Sequence, residues 1–288
     1  MKTVISILLI CLFISCKKEK KTEVITNPQP TIEEFDNNDV PASDSASDSV
    51  GSIEGLFVKT IENAHQKDNF LNQGSVKFDI NLNFGGKERL DATIMMLTNS
   101  SKVLIAKKNG DQLLFDGENS YISPKNAQQK GARFDMFTWS YFFGLPYKLD
   151  DPGTKWAMEQ DRTLKKDGVE YATAKLTFGE NVGDAPDDWY LVYRDPATQL
   201  IKSAVYIVTF GSDGDISKAE ADPHAIVYED YKNINNIPIA TSWKFYDWSE
   251  DKGLGKQLGE ATLSNISFSK TGSEVFEVPD NAKIISKP

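Results

Sequence analysis

Directly after Gly74 the chain settles into a period of two: Val76, Phe78, Ile80, Leu82 and Phe84 alternate with Lys77, Asp79, Asn81 and Asn83. Successive side chains of an extended strand point to opposite faces, so this pattern specifies a β-strand with one face on a core and the other in water. Its partner follows at once. If Gly85-Gly86-Lys87 form a three-residue loop, the returning strand sets Leu90, Ala92, Ile94 and Met96 opposite Leu82, Ile80, Phe78 and Val76. A two-residue loop would bring Arg89, Asp91 and Thr93 onto the apolar face, so the longer loop is expected.

The same logic repeats along the chain. Asn109-Gly110 and Asp116-Gly117 are tight-turn dipeptides between Val103 to Ala106, Leu113 to Phe115 and Tyr121-Ile122. Trp189 to Arg194 turns through Asp195-Pro196-Ala197-Thr198, and Ala225 to Lys232 turns through Asn233-Ile234-Asn235-Asn236; a last strand is expected at Ala261 to Phe268. Two helices interrupt this antiparallel meander. Ser52 opens the first, with Ile53, Leu56, Phe57, Thr60, Ile61 and Ala64 at helical spacing and Glu54 near its N-terminus, packing one face on the sheet. The second covers Arg133 to Tyr147 and is apolar on almost every side, which suits a helix surrounded by protein or ligand against a concave sheet.

The ends of the chain carry different information. Met1-Lys2 and the apolar run Val4 to Ile14 form a signal-peptide core too short for a bilayer of about 30 Å. The run ends Phe13-Ile14-Ser15-Cys16, which resembles the lipobox of bacterial lipoproteins with Phe13 in place of the usual Leu. That resemblance implies cleavage after Ser15 and lipidation of Cys16. Three parts are expected: a signal peptide over 1–15, the lipidated Cys16 with a disordered polar tether over 16–50, and one β-rich domain over 51–288. Several acyl chains on Cys16 would make membrane attachment effectively permanent.

Composition narrows the function classes. Both cysteines, Cys11 and Cys16, precede the domain, which leaves it without disulfides, thiol catalysis or cysteine-ligated metal. A net charge of -10 with no basic cluster in the domain argues against nucleic acid. No GxSxG, Walker A or dinucleotide fingerprint occurs, and no HExxH or paired histidine spacing, so neither a cofactor nor a metal centre is expected. The two histidines, His65 and His224, read as structural or exposed. Asp184, Asp187 and Asp188 lie in one Gly- and Pro-bearing loop and suit a cation or an acid/base pair as well as a solvated acidic loop. Asp213-Gly214-Asp215 fits a hairpin tip and fails the spacing of a calcium loop.

Two stretches carry a family resemblance. Tyr190-Leu-Val-Tyr-Arg-Asp-Pro-Ala-Thr-Gln-Leu-Ile-Lys resembles the strand, Asp-Pro-x-Thr turn, strand unit of the LolA/LolB-like superfamily of envelope lipoprotein carriers. Tyr228-Glu-Asp-Tyr-Lys-Asn-Ile-Asn-Asn-Ile-Pro-Ile-Ala resembles its following unit, which usually has Gly where Asn236 stands. The aromatic helix with Leu145-Pro146, the turn Asp150-Asp151-Pro152-Gly153 and the stretch Val182 to Tyr190 are similar to DUF6503, a family of uncharacterised Bacteroidetes lipoproteins whose members often have His-Gly-Gly where His65-Gln66-Lys67 stand. The resemblance implies a mainly β fold with a few helices: a curved antiparallel sheet, or half-barrel, closed by the N-terminal and aromatic helices.

The functional expectation is a non-catalytic lipoprotein of the cell envelope, on the periplasmic or surface face of the outer membrane. It would bind a lipid or acyl chain in the half-barrel. Met95, Met96, Phe134, Phe137, Trp139, Phe142, Phe143 and Trp156 are the candidate lining, and the same side chains would serve simply to fill a core. A hydrolase built on Asp187 and Asp188, or a module for protein partners, are the alternatives.

Overall fold

The computed structural model describes residues 51–164, 168–210, 212, 215–270 and 274–287. The expected signal peptide, Cys16, the expected tether and the Asp213-Gly214 pair lie outside them; Asp215 caps a short helix in the connection between two antiparallel strands.

Helix α1 (Ile53–Ala64) starts where expected, with the Ser52 hydroxyl accepting the Gly55 N–H at 3.0 Å. Phe57, Val58, Ile61 and Glu62 face inward. Ile53 and Leu56 do not: they are 65% and 64% exposed, because the buried stripe starts one turn later. The chain reverses at Gln66, whose φ of 57° and ψ of 46° fall in the left-handed region that favours glycine. The short α2 (Lys67–Leu71) follows.

Strands β1 (Ser75–Phe84) and β2 (Lys87–Leu97) form the hairpin read from the sequence, with Leu82 opposite Leu90, Ile80 opposite Ala92, Phe78 opposite Ile94 and Val76 opposite Met96. The route to that register differs from the expected one. The turn has two residues, Gly85 and Gly86, with φ of 57° and 76°, and Phe84 faces Lys87. A bulge then shifts the pairing between Leu82 and Asn83, leaving Arg89 as the extra residue and returning the apolar side chains to the core face.

The remaining strands are β3 (Val103–Lys107), β4 (Gln112–Phe115), β5 (Ser120–Ser123), β6 (Thr154–Met158), β7 (Arg162–Thr163), β8 (Glu170–Phe178), β9 (Tyr190–Arg194), β10 (Ile201–Tyr206), β11 (His224–Ile234), β12 (Ile237–Ser249), β13 (Gly253–Ser269) and β14 (Lys283–Ile284). All pair antiparallel in one open sheet of order β14-β5-β4-β3-β2-β1-β13-β12-β11-β10-β9-β8-β6, with β7 on β8. Helix α3 (Ala132–Gly144), continued by a 3-10 turn over Leu145–Tyr147, connects β5 near one edge to β6 at the other. A short α4 (Ile216–Glu220) lies between β10 and β11.

Curvature follows from α3. Phe137 meets Phe115 on β4 with ring centres 5.2 Å apart, Phe143 stacks on Phe78 of β1 at 4.2 Å, Phe142 meets Tyr206 on β10 at 4.9 Å and Tyr141 meets Tyr190 on β9 at 5.3 Å. From β4 to β9 the sheet takes eight inter-strand steps, about 38 Å if flat at ~4.8 Å per step. A helix of 13 residues is only about 20 Å long. The sheet therefore wraps the helix, and one large core joins α1, α3 and the wrapped face.

Candidate functional site

Where α3 does not fill the wrapped sheet, a cavity of about 560 Å³ remains. Its walls come from the two ends of the sheet: Val103 and Phe115 on β3 and β4, then Phe178, Tyr190 and Tyr206 on β8, β9 and β10. Phe134, Phe137, Tyr141 and Phe142 of α3 form the inner wall, and the 181–185 loop with Asp188 borders the polar side. The volume lies in the ordinary range of small-ligand sites, roughly 300 to 1,000 Å³.

Several polar groups fix this frame. Arg133 ion-pairs Asp184 through Nε and through Nη2, the latter at 2.8 Å, while its Nη1 donates to Ser120 Oγ at 2.8 Å and to the Ile285 carbonyl at 3.2 Å. This pair ties α3 to the 181–185 loop and to the C-terminal segment. Lys287 approaches the same Asp184 at 3.7 Å, and Lys148 pairs with Asp151. The base of the helix is held by Asp135, buried at 2% exposure, which accepts from Arg89 at 2.6 and 3.2 Å, Lys107 at 3.3 Å and the Trp139 indole at 3.1 Å.

Asp188 differs from the other carboxylates at the cavity. Its Oδ1 accepts two bonds from Thr209, from the N–H and the hydroxyl, each 2.7 Å. Burial pushes its carboxyl pKa up against the effect of these bonds. Burial also holds the Tyr141, Tyr190 and Tyr206 hydroxyls well above the usual phenol range, with Asp188 adding to the rise in each. The Tyr141 hydroxyl is shut off from water and finds no hydrogen-bond partner among the described residues.

The eight aromatic and methionine candidates fall into three groups. Phe134, Phe137 and Phe142 line the cavity. Met96, Trp139 and Phe143 pack into the core beneath it. Trp156 leans on Phe57 of α1 at 6.0 Å and donates to the Leu149 carbonyl at 2.7 Å, and Met95 packs on the opposite face of the sheet with Leu104, Leu114 and Phe276. Adjacent residues of one strand cannot share a face, so Met95 and Met96 part company.

The other candidates are placed as follows. Asp184 is paired and Asp188 is half-buried and bonded, whereas Asp187 is exposed; no three His, Cys, Asp or Glu side chains converge on a metal-sized site among the described residues. His65 is a core residue whose Nε2 accepts the Ile201 N–H at 3.0 Å, and burial lowers its pKa to about 3. His224 lies 6.0 Å from the Tyr206 ring and 3.9 Å from Asp222. Sequence reading missed Tyr141, Tyr190 and Tyr206 as cavity walls. The available signal was that β9 is apolar on both faces, since Leu191 and Tyr193 are as buried as Tyr190 and Val192.

The class of protein is thus defined by an open antiparallel sheet wrapped around one aromatic helix, with a mixed apolar and polar cavity beside that helix. A family model described as a family of unknown function, DUF6503, matches residues 102–260. That is more than half of the chain, and the chain belongs to this family. No curated protein matches the sequence. Among solved structures, the chain is similar to a LolA superfamily protein from Nitrosomonas europaea, with 12% identity and a TM-score of 0.46 over 76% of this chain and 97% of that one. It is similar to a DUF1329 family protein from Desulfovibrio piger, with 14% identity and a TM-score of 0.43 over 78% and 97%. A domain from Vibrio parahaemolyticus described as an outer membrane lipoprotein-sorting protein shows 10% identity and a TM-score of 0.45 over 73% and 93%.

Proposed function

We propose that this protein is a non-catalytic, membrane-anchored protein of the bacterial envelope that holds an apolar ligand, a lipid or acyl chain, in the cavity beside α3. The observation that carries this reading is the cavity of about 560 Å³ walled by Phe134, Phe137 and Phe142. A helix that served only to fill the wrapped sheet would leave far less space, since protein interiors pack to crystal-like density. Burial would supply the binding energy, at roughly 0.8 kcal/mol for each methylene removed from water. Anchoring would fall to a lipidated Cys16, because the leader ends in a lipobox-like run.

The test is native mass spectrometry with lipid extraction on the protein purified from its own envelope. The expected result is a stoichiometric lipid or acylated species that is lost on denaturation. A clean apo mass, unchanged when lipids and mild detergents are added, would overturn the reading. Anchoring is tested separately: Cys16→Ser is expected to move the protein from the membrane to the soluble fraction.

A further inference from the structure

The polar side of the cavity is not electrically balanced. Each cation in its wall already has a carboxylate: Arg133 and Lys287 share Asp184, and Lys148 holds Asp151. Among the described residues Asp188 forms no ion pair, and the neighbouring Asp187 acts on it as a like charge. Both Thr209 bonds fall on Oδ1, so Oδ2 keeps its lone pairs unused among the described residues. Three tyrosines share the cavity wall with this carboxylate, which acts on the hydroxyl of each; Tyr141 is 5.3 Å from Tyr190 and Tyr190 is 6.1 Å from Tyr206, ring centre to ring centre. Of the three, the buried Tyr141 hydroxyl also finds no hydrogen-bond partner among the described residues.

An unused carboxylate within a group of aromatic rings is the chemistry that recognises an organic cation: the carboxylate supplies charge and the ring faces supply cation–π attraction. An anionic head would meet the opposite situation. It would face Asp188 directly, and of the cations in the wall only Lys287, exposed and 3.7 Å from the Asp184 it shares with Arg133, has charge to spare for it. Resting on the reading of the cavity as a site for apolar ligands, we infer that its occupant is an amphiphile with an organic ammonium head. The ammonium sits at Asp188 among Tyr141, Tyr190 and Tyr206, and the apolar tail lies along Phe134, Phe137 and Phe142.

The measurement is calorimetric titration of the full chain, at physiological salt, with n-decylammonium, n-decanol and decanoate, three probes that share one tail. The inference predicts decylammonium binding at least tenfold tighter than decanoate. It also predicts that Asp188→Asn, which keeps an oxygen for Thr209, lowers the affinity for decylammonium relative to decanol about tenfold or more. Asp187→Asn removes an equal charge from the exposed loop and also relieves the like charge beside Asp188, so it is expected to lower that ratio far less, which separates a local site from attraction to an acidic protein. Decanoate binding as tightly as decylammonium, or equal loss in the two Asn variants, would overturn the inference while the cavity reading stands. Failure of all three probes to bind would bring down both.

Discussion

Asp135 lies in the first turn of α3, where a carboxylate meets the positive end of the helix dipole, and it is closed off from water by Arg89, Lys107 and the Trp139 indole. Removing one partner of a buried ion pair leaves charges without compensation, at roughly 3 to 5 kcal/mol. Asp135→Ala is expected to lower stability by about 3 kcal/mol in urea denaturation, and Asp135→Asn, which can still accept from the indole, by less. His65 gives a prediction in pH. Its folded pKa is lowered from 6.5 to about 3 by burial, so below pH 6.5 the unfolded chain takes up a proton that the folded chain refuses. Stability from this group is complete above pH 6.5 and falls as the pH drops toward 3. Between pH 6.5 and 5 the loss amounts to roughly 1.5 to 2 kcal/mol. Glu62 and Asp188, both raised by burial, act with the opposite sign in acid. The difference between the wild-type protein and His65→Gln, measured across that window, isolates the histidine; equal pH slopes would refute the assignment. Neither set of partners was legible in the sequence. Arg89 and Ile201 stand 46 and 136 positions from the side chains they bond, and no local pattern announces partners at such distances.

At the scale of elements, legibility followed the contrast between faces. β1 and β2 were readable to the residue pair because core and solvent positions alternate cleanly along both. β6 and β8 were not, since β6 spans only five residues and β8 places Ala172 and Ala174 where large side chains would mark a face. The N-terminal part of β13, before Ala261, carries three glycines and few apolar residues; its extended form comes from pairing with Tyr246 and Trp248 of β12. One of those glycines permits a close approach. A Cβ at Gly259 would lie 2.5 Å from the Asn83 carbonyl oxygen and 2.7 Å from the Phe84 ring, so Gly259→Ala is expected to cost about 1 to 3 kcal/mol through forced displacement of both strands. The β11–β12 turn offers the converse. Asn235 and Asn236 both adopt positive φ, 53° and 63°, as a type I′ turn requires, and glycine is the preferred second residue there. Asn236→Gly is expected to raise stability by about 0.5 to 1 kcal/mol. A fall in the thermal midpoint of that variant would show that the Asn236 side chain contributes something beyond its backbone conformation.

For the whole molecule, the decisive property is that a sheet with two free edges wraps a helix too short to fill it. A meander of amphipathic strands was evident in the sequence, and so was a helix apolar on nearly all sides; whether the two match in volume was not, because fit is a property of the assembled curvature and of no single segment. The mismatch links occupancy to stability. A ligand bound only by the folded state adds RT ln(1 + [L]/Kd), about 2.7 kcal/mol at a hundredfold excess over Kd, and for a domain of this size each kcal/mol moves the thermal midpoint by roughly 2 to 4 °C. Loading the stripped protein with an amphiphile that fits is therefore expected to raise its midpoint by about 5 to 10 °C. Val208, a partly buried residue of the cavity wall, provides the control. Val208→Trp adds bulk where space exists, so the unloaded variant should melt no lower than the wild-type protein while losing most of the ligand-dependent rise. Were the variant to melt far lower and keep the rise, the space beside α3 would be already occupied by protein atoms and the ligand would bind elsewhere.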